Sequence, residues 1–153
     1  MTNKMIEYTV KVYAEGTTEW YLNGKFHRED GPAFEGAEGS KLWYLNDKRH
    51  REDGPAVEFA EGDRLWYLYG KRHREDGPAV ECADGSKFWY LNGKRHRGDG
   101  PAVEYADGDK EWFLDGKRLT EQEHKKATTK ATCDGKEVEI DGVTYILKEK
   151  QNG

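Results

Sequence analysis

The sequence holds only two cysteines, Cys82 and Cys133, among 153 residues. Two thiols cannot build a disulfide framework or a four-ligand zinc site. Long apolar runs are also missing. The strongest pieces are as short as Leu42-Trp43-Tyr44-Leu45, far from the roughly 18 residues a membrane helix needs. Met1 to Lys11 has no continuous apolar stretch, so a secretory signal is not expected. Basic charge is not in excess either. Lys and Arg number 25 against 30 Asp and Glu, a net charge of −5, which argues against general affinity for duplex nucleic acid. These absences suit a cytoplasmic protein.

Aliphatic residues are scarce as well. Leu, Ile, Val and Phe number 24 of 153, under the rough 20% mark below which a highly charged chain is usually disordered. The weak net charge opposes disorder. So do five Trp and nine Tyr, because each large aromatic can bury roughly 150–250 Å². The balance predicts a folded chain with a thin, aromatic-rich core.

What is present is a repeat. Trp20, Trp43, Trp66, Trp89 and Trp112 lie 23 residues apart. His27, His50, His73 and His96 keep the same period, as do Asp-Gly-Pro-Ala turns starting at Asp30, Asp53, Asp76 and Asp99. The last copy ends early, with Leu119 in the place of the next histidine, so the repeats span 17–119. Asn23-Gly24 and Asn92-Gly93 are strong two-residue hairpin turns. Asp47 and Tyr69 are expected to perturb that turn in the middle copies. A second turn, such as Glu61-Gly62-Asp63, closes each unit. Alternation in the Pro-Ala-Val-Glu-Phe stretch puts Val57 and Phe59 on one face and Ala56 and Glu58 on the other. The expected fold is mainly all-β: a single-layer antiparallel meander of stacked 23-residue units, with a short C-terminal helix and hairpin.

Each WYL strand sends Trp and Leu to one face. Tyr21, Tyr44, Tyr67, Tyr90 and Phe113 go to the other, with the residue before Trp. That residue is Glu19, Leu42, Leu65, Phe88 and Glu111 in turn: charged at the ends, apolar in the middle. Either the end copies cap a one-dimensional array, or Leu42, Leu65 and Phe88 meet the C-terminal segment or another subunit. In the second case these residues with Tyr44, Tyr67 and Tyr90 form an interface. Lys and Arg stems can also shield an aromatic face, whereas contiguous exposed aromatic area marks an interaction site.

The flanks read as separate elements. Residues 1–16 contain an alternating capping strand from Ile6 to Ala14. Residues 120–153 open with a capping box, Thr120-Glu121-Gln122-Glu123, and a helix to about Ala127. A hairpin follows from Glu137 to Lys148, turning at Asp141-Gly142, with Val138, Ile140, Tyr145 and Leu147 apolar. A frayed tail, Glu149–Gly153, ends the chain.

The repeat, best formed in Trp89–Lys110 with its Asn-Gly-Lys-Arg-His and Tyr-Ala-Asp-Gly steps, resembles the MORN repeat. The resemblance covers 17–119 as five MORN-like copies, the last partial, and implies a twisted single-layer sheet of stacked hairpins. Arg28, Arg51, Arg74 and Arg97 stand where MORN repeats favour Gly, and the Gly-Pro-Ala step is unlike them. The variant is similar to WYLNGKxHRxDGPA repeat proteins of bacteriophages and large DNA viruses. MORN repeats in general imply protein–protein scaffolding, dimerisation and phospholipid binding.

Candidate binding residues sit in the repeated His-Arg-Glu-Asp run. His27, Arg28, His50, Arg51, His73, Arg74, His96 and Arg97 could form a row that holds phosphate through guanidinium forks, while Trp43, Trp66 and Trp89 stack a base. The competing reading is structural. Asp before Gly-Pro forms turns, Glu and Arg pair across strands, and His packs on Trp. Metal ligation is not expected, because the His and Asp positions are spread singly along the array. No cofactor is implied.

Catalysis finds little support, since every carboxylate belongs to the repeated pattern and no nucleophile has an evident base. The expectation is therefore a non-catalytic interaction module, encoded by a phage or virus, that binds a host protein or itself as a homodimer. The alternative is sequestration of a small anionic molecule such as a signalling nucleotide. Membrane binding is the least expected partner mode, given the net acidity and the lack of an amphipathic basic helix.

Overall fold

The structure is a computed structural model and describes residues 7–129, 137–140 and 143–146. It is a mainly β chain built as one long antiparallel meander. Each middle repeat supplies four very short strands. In the second they are Lys41–Leu42, Tyr44–Leu45, Lys48–Arg49 and Val57–Glu58. The first and fourth types alternate along a continuous sheet, and the middle two form the turn hairpins. The strand does not end at Trp43. Its N–H donates to Ala56 O and its carbonyl accepts from His50 N.

The hairpins are also joined to one another. Arg51 N donates to Tyr67 O and Gly70 N to Arg49 O, and the same two bonds recur one repeat further on. The sheet therefore has two tiers, both continuous from repeat to repeat.

Register fixes the core. Directly paired residues share a face, and the pairing sets Phe34, Leu42, Val57, Leu65, Val80, Phe88 and Val103 in one row. Glu19 closes this row at one end and Glu111 at the other. The opposite face of the same strands alternates in charge: Glu35, Lys41, Glu58, Arg64, Glu81, Lys87, Glu104, Lys110.

Val57 and Val103 are completely buried. In a one-layer sheet that requires neighbouring side chains to close over them. Leu65, Tyr67 and Val80 are buried beside Val57, with Phe59, Cys82, Phe88 and Tyr90 packed around them. On the other face, Ala33, Ala56, Ala79 and Ala102 are fully buried.

The hairpin turns depart from expectation in one respect. Asn46 and Asp47 take φ of 50° and 63°, and Tyr69 and Gly70 take 49° and 84°, as Asn92 and Gly93 do at 51° and 83°. The middle turns are thus unperturbed. Asp47 Oδ1 accepts the Phe26 N–H at 2.7 Å. Tyr69 donates its N–H to His50 Nδ1 and packs 4.2 Å from that ring. These contacts offset the unfavourable left-handed backbone of a bulky residue.

At the N-terminus, Thr9–Val12 pairs with Thr18–Leu22 as the edge strand; Ile6 lies outside the described residues. At the other end, Lys110–Leu114 pairs with Lys117–Leu119. The helix follows at Glu121–Thr128, opened by the expected capping box: Thr120 and Glu123 each accept the other's backbone N–H. His124, on this helix, is buried and donates from Nε2 to Arg97 O at 2.7 Å, which ties the helix to the last full repeat. The C-terminal hairpin pairs Glu137–Ile140 with Val143–Ile146. Its turn at 141–142, Leu147, Cys133 and the tail lie outside the described residues.

Candidate binding surfaces

The four arginines that follow the histidines are committed to the fold. Arg51 Nε donates to Asp53 Oδ1 at 2.8 Å, and its Nη1 donates to Glu58 Oε1 at 3.0 Å and to Pro55 O at 3.2 Å. Its Cζ sits 4.1 Å over the Trp43 ring. The guanidinium also lies against Gly54, where a Cβ would come within 2.9 Å of Cζ. A side chain there would press the guanidinium off its present position. Arg28, Arg74 and Arg97 repeat the set, stacking on Trp20, Trp66 and Trp89, also at 4.1 Å. Each arginine closes its own Asp-Gly-Pro loop and pins it to the tryptophan.

The histidines join one repeat to the next. Nδ1 of His50 accepts the Tyr69 N–H at 3.1 Å, while Nδ1 of His27, His73 and His96 lies 3.1–3.2 Å from both the backbone N–H and the side-chain oxygen of Asn46, Asn92 and Asp115. At His50 the accepting Nδ1 puts the neutral ring's proton on Nε2. Nε2 of His27, His50 and His73 faces Glu29, Glu52 and Glu75 at 3.7 Å.

Grooves remain between successive loops. One of them, about 730 Å³, has Trp43, Leu45 and His50 among its lining, with Arg28 and Arg51 on its two walls. Its rims carry Glu29, Asp30, Glu52 and Asp53, whose side chains are 72–85% exposed. Both guanidinium groups are already paired to carboxylates inside the protein. A phosphate entering this groove would meet four carboxylates and no uncommitted arginine, so the surroundings of the row favour its structural reading.

Arg51 holds the Asp53 carboxyl below its ordinary value of 3.8, mainly by the hydrogen bond, and Arg74 and Arg97 do the same for Asp76 and Asp99. A depressed carboxylate stabilises the fold above its unfolded value and loses that contribution as pH falls through the folded value. The urea midpoint is therefore expected to hold down to about pH 4 and to fall below it. A variant with Asp53, Asp76 and Asp99 all changed to Asn should show a shallower fall. An identical profile in the two proteins would contradict the pairing.

The opposite face has a different arginine ladder, which the sequence reading passed over. Arg49, Arg72 and Arg95 precede the histidines and pair across the hairpins with Tyr44, Tyr67 and Tyr90. Arg49 donates to the phenol oxygens of Tyr44 and Tyr67, at 3.3 and 3.4 Å. Arg72 donates to those of Tyr67 and Tyr90, at 3.1 and 3.4 Å. Among the described residues, Arg49 and Arg72 meet no carboxylate. Arg95 bonds Tyr90 and lies 3.7 Å from Glu111. At the N-terminal end the ladder has Phe26 in place of arginine, and Tyr21 donates to Glu19 at 2.7 Å. Burial and then that bond push the Tyr21 hydroxyl up to about 12.

The residues expected at an interface sit on this second face. Leu65 and Tyr67 are buried, while Leu42, Tyr44, Phe88 and Tyr90 are half-buried. Among the described residues, no group of three or more His, Cys, Asp or Glu is placed to hold a metal ion. No described helix is long and apolar enough to cross a membrane. No family model matches the chain, and no curated protein matches it.

Proposed function

We propose that this chain is a non-catalytic interaction module: a MORN-like repeat sheet that binds a second copy of itself or a host protein. The resemblance of its repeat to phage and large-virus proteins suggests a viral origin and work in the host cytoplasm. The observation that carries the reading is the N-terminal edge. Among the described residues, the outer side of Thr9–Val12 has no neighbouring strand, and Val10, Val12 and Tyr13 are 46%, 72% and 40% exposed. An open edge bearing apolar side chains is a template for strand pairing with another chain. The far end differs, because the helix packs beside the last strands there. Among the described residues, the His-Arg-Asp clusters recur from repeat to repeat, and their arginines pair with carboxylates of the same protein.

Sedimentation of the full chain tests this, alongside a variant with Val10 and Val12 changed to Lys. The expected result is a dimer, or a defined complex with a host protein, that the edge charges weaken by about tenfold or more. A chain that stays monomeric and forms no host-protein complex would overturn the proposal, as would a complex indifferent to the edge charges.

A further inference from the structure

The tyrosine–arginine face carries a cavity of about 310 Å³ between the third and fourth repeats, with Leu65, Val80 and Phe88 in its lining. Phe59 and Cys82 line it too, together with Tyr90, Arg72, Arg95 and Asp63. Its lining includes a departure from the neighbouring repeats. Cys82 holds the position that Phe59 and Tyr105 hold in the neighbouring copies, so one small side chain stands between two large aromatics. Burial, then Asp63 and Asp84, raise the Cys82 thiol's pKa, which keeps it a neutral wall rather than a nucleophile.

The polar side of the cavity is cationic. Arg72 uses Nε and Nη1 on two phenols; its remaining N–H groups have no protein acceptor among the described residues. Its charge has no carboxylate partner there, and Arg95, opposite, has Glu111 only at 3.7 Å. Asp63 adds one negative group, but its Oδ1 is tied to the Ala83 N–H at 2.7 Å. A half-buried guanidinium with free donors, beside an apolar floor, matches a ligand with an anionic end and an apolar body.

We propose that this cavity binds a small molecule made of a flat apolar body and one phosphate or carboxylate, with Arg72 and Arg95 on the anion and Leu65, Phe88 and Phe59 against the body. The site is distinct from the edge strand and does not depend on it.

Phenyl phosphate and benzoate are suitable probes, with benzyl alcohol as the neutral control. Their binding to the full chain can be followed by ligand-observed NMR and by the Arg Nε–H resonances. At least one anion should bind at concentrations up to about 10 mM and shift an Arg72 resonance, and benzyl alcohol should bind about tenfold more weakly or worse. Which anion binds distinguishes phosphate from carboxylate ligands. Cys82→Phe installs the side-chain type of the neighbouring repeats, so it should fill the cavity, keep the melting temperature and abolish binding. Arg72→Gln should weaken binding by about tenfold or more. Binding that survives Cys82→Phe, equal binding of the neutral control, or no binding of either anion to the folded chain would overturn the proposal. Failure here with an intact edge-dependent complex would leave the interaction reading standing.

Discussion

Replacing Arg51 with alanine is expected to destabilise the fold by about 2–3 kcal/mol, mostly from lost charge-assisted hydrogen bonds and the arginine–tryptophan stack. The exposed Asp53 is assigned none of this. What counts is the less accessible side: Nη1 on the Pro55 carbonyl and on Glu58, and the guanidinium plane over Trp43. Alanine leaves the Pro55 carbonyl without its donor and uncovers the indole. Lysine keeps the charge but not the flat fork, so Arg51→Lys should recover less than half of the loss. Urea denaturation of the wild type and both variants gives the comparison. A loss below about 0.5 kcal/mol, the range of an ordinary surface substitution, would mean that the stack and loop bonds do not hold the repeat. The same experiment separates the two arginine ladders. Arg72→Gln, on the other face, should move the midpoint much less, since glutamine can still donate to one of the phenols.

Leu65→Ala should cost about 2–4 kcal/mol, in the range of a large-to-small change in a packed core. Leu65 is 8% exposed and sits between Val57 and Val80 in the middle of the apolar row. Leu42 occupies the same position one repeat earlier but is only half-buried. Leu42→Ala should therefore cost clearly less, because part of its surface already faces water and the truncated site can fill with solvent. Equal losses at the two positions would show that burial along the row does not set the stability. Contacts in a repeat array run only between neighbours. The Leu65 variant is therefore expected to broaden the unfolding transition as well as shift it, because it weakens both junctions of the central repeat.

Much of the fold could be read from the chain because its signals are local. Strict alternation separated Trp from Tyr, Asn-Gly marked the hairpins, and Thr120 with Glu123 marked the helix start. The unequal ladder Glu19, Leu42, Leu65, Phe88, Glu111 was visible as a pattern. Its meaning was not, because the valines that complete the core row come from other strands, and only the register sets Val57 between Leu42 and Leu65. The binding surface was harder. Lys-Arg-His-Arg offers two arginines two residues apart, on either side of a histidine. Composition cannot say which one stacks on tryptophan with two carboxylates and which lies among phenols. The sequence offers Arg51 and its equivalents both as candidates for an anion and as partners of nearby carboxylates, and the structure pairs them with Asp53, Glu58 and their equivalents. The adjacency of Glu and Asp was itself the signal that their charge was spoken for. Tyr69 misled for a related reason: its turn is held by a histidine nineteen residues away, which no local propensity records.

The two glutamates that end the apolar row have a consequence for how such a chain can change in length. Every junction between middle copies uses the same bonds, from the next turn's backbone N–H to His Nδ1 and from the Arg51 or Arg74 N–H to the carbonyl of Tyr67 or Tyr90. A copy inserted between them by duplication of its coding segment would find its joints already made. The sheet would lengthen by two strand spacings, about 9.6 Å, with no other part refolding. Glu19 and Glu111 end the apolar row on either side, so the middle can be counted up or down without changing how the row ends.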